Sequence, residues 1–163
     1  MIPIPLFGWL VVLLFGVPLA ASASGDPTPS DCTPAIALRS VVDDRPLVIP
    51  EEEVTDAVAA FLCTGRNPLA ASEEAAERGR ELYRRNCQIC HAEDGDGRMG
   101  PSLIDDVWMY DRVASEVGRF EIIYGGGVGV MRAFKGKLPA EDILAIMAYI
   151  GKLRERAAGD GRE

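Results

Sequence analysis

Apolar residues recur at helical spacing in four segments of this chain, and prolines, glycines and acidic clusters separate them. In the first segment Val54, Ala57, Val58, Phe61 and Leu62 form a stripe, so a helix is predicted over 51–62. Pro50 precedes it, and Glu51, Glu52 and Glu53 fill its first turn, where the helix dipole favours anions. The second helix is predicted from Ser72, a good N-cap, to about Cys90. Ala75, Gly79, Leu82, Tyr83 and Asn86 mark one of its faces. Gly79 is costly inside a helix, and close contact with another helix would account for it. A short helix follows over 115–124, with Val117, Phe120, Ile123 and Tyr124 on one face. The last helix runs from Pro139 to about Ala157; Ile143, Ile146, Met147 and Ile150 step by three and four, and Lys152, Arg154 and Arg156 load its C-terminal end.

The segments outside these helices have different characters. Residues 1–23 contain no charged side chain, and they end in Ala21-Ser22-Ala23. This predicts a secretory leader cut after Ala23, although its start lacks the usual Lys or Arg. An uncleaved anchor fits less well, because Pro3, Pro5 and Pro18 interrupt a run shorter than the roughly 20 residues a span needs. Residues 24–50 read as a linker followed by an irregular N-terminal arm, and 51–157 as a single domain. Residues 158–163 read as a frayed tail.

Charge narrows the set of partners. The chain carries 17 Lys and Arg against 25 Asp and Glu, a formal charge of −8. Nucleic acid is excluded as a partner, since binding it needs a basic footprint. A basic protein surface fits better.

The candidate chemistry lies at the end of the second helix. Cys87-Gln88-Ile89-Cys90-His91 is a C-x-x-C-H pentapeptide, the spacing at which haem is attached through two thioethers. On a helix Cys87, Cys90 and His91 fall at i, i+3 and i+4 and share a face. His91, the single histidine, would then be the proximal iron ligand. A redox-active C-x-x-C expects a βαβ pattern, which is missing here. A zinc site expects two close pairs of ligands, and Cys32 and Cys63 are far apart in sequence. Those two cysteines either form a disulfide in an oxidising compartment or stay as two thiols.

With one histidine, the sixth iron ligand would be a thioether. Met147 falls on the apolar stripe of the last helix, and Met99 is too near His91 to reach the opposite face of a porphyrin. Met109 reads as a packing residue beside Trp108. Met131 follows Gly125-Gly126-Gly127-Val128-Gly129-Val130 and is the candidate. An open, five-coordinate iron is the alternative. The glycine run lacks the Lys-Ser/Thr of a phosphate loop. Asp94 and Asp96 lie in a turn-rich loop that lacks the full calcium ligand set.

Several motifs agree in order with one family. Gly79-x-x-Leu82-Tyr83, the pentapeptide, Gly100-Pro101-x-Leu103, Met131-x-Ala133-Phe134 and Asp142-Ile143 to Ala148-Tyr149-Ile150 resemble class I monohaem c-type cytochromes. More narrowly, Phe61-Leu62-x-Thr64-Gly65-x-Asn67-Pro68, Asp106-x-Trp108-x-Tyr110 and Gly118-x-Phe120-Glu121-x-Ile123-Tyr124-Gly125-Gly126 resemble cytochrome cL and its relatives. Asp111 and Arg132 depart from the narrower pattern, which often has proline at the first position and glycine or proline at the second.

The resemblance implies an all-α, class I cytochrome c fold: a three-helix haem core with an extra N-terminal helix and arm. It implies one covalent haem c, with Cys87 and Cys90 as thioether donors and His91 and Met131 as axial ligands. Pro101 would orient His91 through its carbonyl, and Trp108 would border the haem. The function implied is one-electron transfer rather than catalysis, by a monomer in the periplasm. Electrons would come from a quinoprotein (pyrroloquinoline quinone) alcohol or methanol dehydrogenase and pass to another cytochrome c or a terminal oxidase. A carrier of another respiratory chain and an open-site haem enzyme or gas sensor are the alternatives.

Overall fold

The structure, a computed structural model, describes residues 35–161. The expected leader and its cut site, the linker through residue 34 with Cys32, and the last two residues lie outside the described residues. The fold is all-α. Five α-helices follow in order: α1 (Asp56–Thr64), α2 (Glu73–Asn86), the single turn α3 (Gln88–His91), α4 (Glu116–Gly125) and α5 (Ala140–Gly159). Among the described residues β-pairing is confined to one antiparallel bridge between Arg39 and Pro46. No described helix is long and apolar enough to cross a membrane.

The helix starts follow side-chain caps. Ser72 accepts from the Ala75 N–H at 3.1 Å and Ser115 from the Gly118 N–H at 3.0 Å. The first helix starts later than its charge pattern predicts. Glu51–Glu53 forms a separate 3₁₀ turn, Val54 leaves helical angles, and Thr55 caps α1 by accepting from the Val58 N–H at 3.3 Å. A threonine hydroxyl can take an orphan N–H, which Pro50 cannot. Gly65 ends α1 in the left-handed region, at φ +71°. At the other end of the chain α5 continues through Gly159, two residues beyond the expected stop.

Helices α2 and α5 cross at Gly79. A Cβ there would lie 2.0 Å from the Ala145 carbonyl oxygen. The missing side chain therefore lets the two backbones touch, at the place where α2 has its one costly glycine. One turn further on, the Tyr83 and Tyr149 rings meet with centroids 5.3 Å apart. A larger core joins α1, α4 and α5 through the fully buried Val58, Phe61, Phe120, Tyr124, Ile143 and Leu144. Buried Asn67 ties the loop after α1 to this core: its amide donates to the Leu144 carbonyl at 2.8 Å, and its N–H to the Glu116 carboxylate at 2.6 Å.

The N-terminal arm packs on the core as an ordered segment. Leu38 is buried, the Ile36 N–H donates to the Leu62 carbonyl at 3.1 Å, and the Tyr124 hydroxyl donates to the Val48 carbonyl at 2.9 Å. Glu121 fastens the arm to α4. Its carboxylate has no exposure; it accepts from the Arg39 N–H at 2.7 Å and from the Arg112 guanidinium through both oxygens. Removing a buried acceptor leaves its donors unpaired, which costs several kcal/mol when they are fully buried. Arg112 is 44% exposed, which limits the loss. Glu121→Ala is expected to cost about 2–3 kcal/mol in a urea unfolding titration. A loss within about 0.5 kcal/mol would show that the lock contributes little.

Candidate functional site

Helix α2 stops at Asn86; Cys87 caps it, still in the right-handed region but with φ widened to −118° (ψ −38°). The predicted uninterrupted helix to Cys90 is therefore broken, and α3 is a separate turn. Within it the Cys90 and His91 N–H groups both donate to the Cys87 carbonyl, at 3.0 and 2.9 Å. This keeps the two sulfurs and the imidazole on one turn. Tyr83 closes the other side, donating to the Ala92 carbonyl at 2.8 Å.

Neither Cys87 nor Cys90 is in a disulfide, and each is half-buried. Burial, with Cys90 adding to it, pushes the Cys87 thiol up to about 12. Cys63 is bonded in a disulfide, and its expected partner Cys32 lies outside the described residues.

His91 is buried, and its Nδ1 lies 2.9 Å from the Pro101 carbonyl oxygen. A carbonyl can only accept, so Nδ1 carries the proton and donates. Nε2 is left with its lone pair, the form that can ligate a metal. The loop between the two residues folds back on α3: the Arg98 and Gly100 N–H groups both donate to the Cys90 carbonyl at 3.0 Å. Gly100 lies flat against the imidazole, and a Cβ there would come 2.7 Å from its Cε1. The Gly100-Pro101 pair thus combines a close approach with a fixed acceptor. Among the described residues no group of three His, Cys, Asp or Glu could hold a metal ion by itself.

Met131 lies in a different loop. The Gly127 N–H donates to the Met131 carbonyl at 3.0 Å, closing the glycine run into a turn, with Gly126 at φ +86°. The Met131 side chain is half-buried against the α1–α4–α5 core. The Tyr110 hydroxyl accepts from the Val128 N–H at 3.0 Å and joins this turn to the Trp108 segment. Of the other methionines, Met147 is buried in the core. Met109 is 70% exposed, so the expected packing beside Trp108 is not observed. Met99 is 71% exposed.

Two guanidinium groups lie over the Trp108 ring, Arg119 at 5.3 Å and Arg154 at 5.4 Å from its centroid. Arg154 also donates to the Leu103 and Asp105 carbonyls, at 3.2 and 2.6 Å, and pairs with Asp106. Arg119 donates to the Ala114 carbonyl at 2.8 Å; burial and then the charge of Arg154 hold it below its ordinary range. These two arginines fix the loop that follows Pro101. In the sequence Arg154 reads only as a C-terminal helix cation, and no local signal points to Arg119.

Known proteins share this fold. A solved structure of cytochrome cL from the marine methylotrophic bacterium Methylophaga aminisulfidivorans is 35% identical and superposes with a TM-score of 0.67 over 71% of this chain and 79% of that one. The chain belongs to the cytochrome cL family. Cytochrome cL from Hyphomicrobium denitrificans is 32% identical, with a TM-score of 0.66 over 71% of both chains. Cytochrome c-L of Methylorubrum extorquens is 29% identical over 88% of this chain and 74% of that protein. Residues 74–150 match the family described as cytochrome c oxidase, cbb3-type, subunit III. A cbb3-type oxidase subunit FixP of Bradyrhizobium diazoefficiens is 36% identical over 48% of this chain, which spans 27% of that subunit.

This cytochrome is an electron-transfer protein with one covalently bound haem c. The residues fit the group: two adjacent cysteines in no disulfide and one buried imidazole whose Nδ1 is already engaged, so that Nε2 is the nitrogen left for iron.

Proposed function

We propose that this cytochrome is a periplasmic carrier that takes single electrons from a quinoprotein (pyrroloquinoline quinone) alcohol or methanol dehydrogenase. It delivers them to another cytochrome c or a terminal oxidase. The haem supplies an iron that gains and loses one electron. Cys87 and Cys90 would hold it through thioethers, and His91 Nε2 and the Met131 sulfur would ligate its iron. Pro101 keeps the imidazole in one tautomer and orientation, and Trp108, held by Arg119 and Arg154, would border the group. The mature chain begins after Ala23 and carries a Cys32–Cys63 disulfide. The observation that carries this reading is the Nδ1–Pro101 bond on a C-x-x-C-H turn, in a chain similar over most of its length to cytochromes cL.

The dehydrogenase is tested by mixing. Oxidised cytochrome and a reduced quinoprotein methanol dehydrogenase are expected to exchange electrons quickly, at a rate that falls as salt rises, because a chain of charge −8 is attracted to a basic face. Slow reduction at every salt concentration would remove this donor. The match to cbb3-type oxidase subunits favours a second reading, a carrier that serves such an oxidase without any alcohol dehydrogenase. Fast exchange with the oxidase and none with the dehydrogenase would establish that one.

A further inference from the structure

The loop that carries Met131 is fastened unevenly. It leaves directly from the C-terminal end of α4. Its far end returns to the same helix: the Phe134 N–H donates to the Ile123 carbonyl at 3.1 Å, and the Lys135 N–H to the Tyr124 carbonyl at 3.0 Å. The tip, Val128-Gly129-Val130, has less support. Among the described residues its one hydrogen bond to another segment is that of the Val128 N–H to the Tyr110 hydroxyl, 18 positions away in the chain. Gly127 and Gly129 flank Val128, and glycine backbone has the most conformational entropy to lose, so an unfastened tip would open easily.

Tyr110 itself stands on a firm support. Its carbonyl accepts from the Val113 N–H at 2.9 Å and leads into the 3₁₀ turn Asp111–Ala114. That turn is pressed onto α4 at Gly118, where a Cβ would lie 1.9 Å from the Arg112 carbonyl oxygen. The Arg112 side chain is paired with buried Glu121, and Arg119 donates to the Val113 and Ala114 carbonyls at 3.3 and 2.8 Å. One end of the tyrosine is thus fixed to α4, and its hydroxyl reaches the stretch of the loop that α4 does not hold. We infer that Tyr110 is a positioning residue: its hydroxyl latches the Met131 loop closed and so keeps the thioether at the iron. The inference rests on the reading of Met131 as an axial ligand. A thioether favours ferrous iron, so the ferric state is the one in which this ligand is most easily lost. The latch lowers the population of the open loop in that state, and a carrier that keeps both ligands reorganises little when its electron leaves.

The test is a titration of the ferric holoprotein with imidazole, followed in the visible spectrum. Imidazole takes the sixth position only when the loop is open, so its apparent affinity scales with the open fraction. Tyr110→Phe keeps the ring and removes the hydroxyl that accepts from Val128. It is expected to raise the apparent affinity for imidazole about three- to tenfold, the factor that corresponds to one hydrogen bond. Tyr124→Phe is the matched control. It loses a phenol hydrogen bond of similar length, 2.9 Å to the Val48 carbonyl, on the arm and not on the loop. Opening of the arm and opening of the loop are separate local events, so this control is expected to change the affinity less than about twofold.

Both substitutions are expected to lower the guanidinium unfolding midpoint, which any lost contact would do; the imidazole affinity responds only to a contact that is broken when the ligand leaves. An affinity unchanged in Tyr110→Phe would overturn the latch, and so would equal increases in the two variants. Met131→Ala separates this outcome from a failure of the ligand assignment. If it abolishes the weak near-infrared methionine–iron band while Tyr110→Phe keeps that band without imidazole, the ligand stands and the titration decides the latch alone. A band that survives Met131→Ala would remove the ligand and the latch together.

Discussion

Gly79→Ala is expected to destabilise the holoprotein by about 2–3 kcal/mol, the upper part of the range for overpacking a tight contact. The new Cβ would sit 2.0 Å from the Ala145 carbonyl oxygen, 2.5 Å from its carbon and 3.0 Å from the Ile146 nitrogen. All three are backbone atoms of α5, so no side chain can rotate out of the way. The helices must separate, and Tyr83 and Tyr149 must separate with them. Exchanging glycine for alanine in a helix by itself gains about 1 kcal/mol, and the clash has to exceed that. Gly151→Ala measures the gain alone: this glycine lies on α5 with nothing within 4 Å of its Cβ position. Guanidinium unfolding midpoints of the two variants are therefore expected to move in opposite directions. Two midpoints rising together would mean that the crossing is looser than the structure shows. Typical domains are stable by only 5–15 kcal/mol, so the loss would also lower the yield of folded protein.

Met131→Ala is expected to lower the midpoint potential by roughly 0.1–0.2 V, a modest part of the ~0.8 V that axial ligands span across haem proteins. A thioether favours ferrous iron, and alanine offers no replacement donor. The helices should be unaffected: the bond that closes the turn uses the Met131 carbonyl, not its side chain, and the side chain is only half-buried. Far-ultraviolet circular dichroism should match that of the unaltered chain while the potential falls. An unchanged potential would assign the sixth ligand elsewhere, with the exposed Met99 and Met109 as the first alternatives.

The helices were legible in the sequence because their information is local. Apolar spacing placed all four long helices, and Ser72 and Ser115 marked two starts at the residues that cap them. The start of α1 was misread because three glutamates are equally content in a 3₁₀ turn; the deciding group was a single threonine hydroxyl. Gly79 was readable as a contact because glycine is costly there for no local reason. The break at Cys87 was not readable, since a C-x-x-C-H stretch has the same spacing on a continuous helix as on a separate turn. The Glu121 lock and the Arg119–Trp108–Arg154 stack were invisible for another reason. Each joins residues that are distant in sequence, and an arginine on a predicted helix looks the same whether it faces water or an indole. The candidate ligands were found by type and order, while the acceptor for His91 Nδ1 needed the family resemblance to single out Pro101.

We propose a six-coordinate carrier whose iron is held by His91 and Met131. It is tested most directly by the visible and near-infrared spectrum of the purified protein, followed by exposure of the reduced form to carbon monoxide. A low-spin ferric spectrum with the weak methionine–iron charge-transfer band, and no carbon monoxide adduct on reduction, is the predicted result. A high-spin ferric spectrum with ready binding of carbon monoxide would contradict it and leave an open-site haem protein in its place.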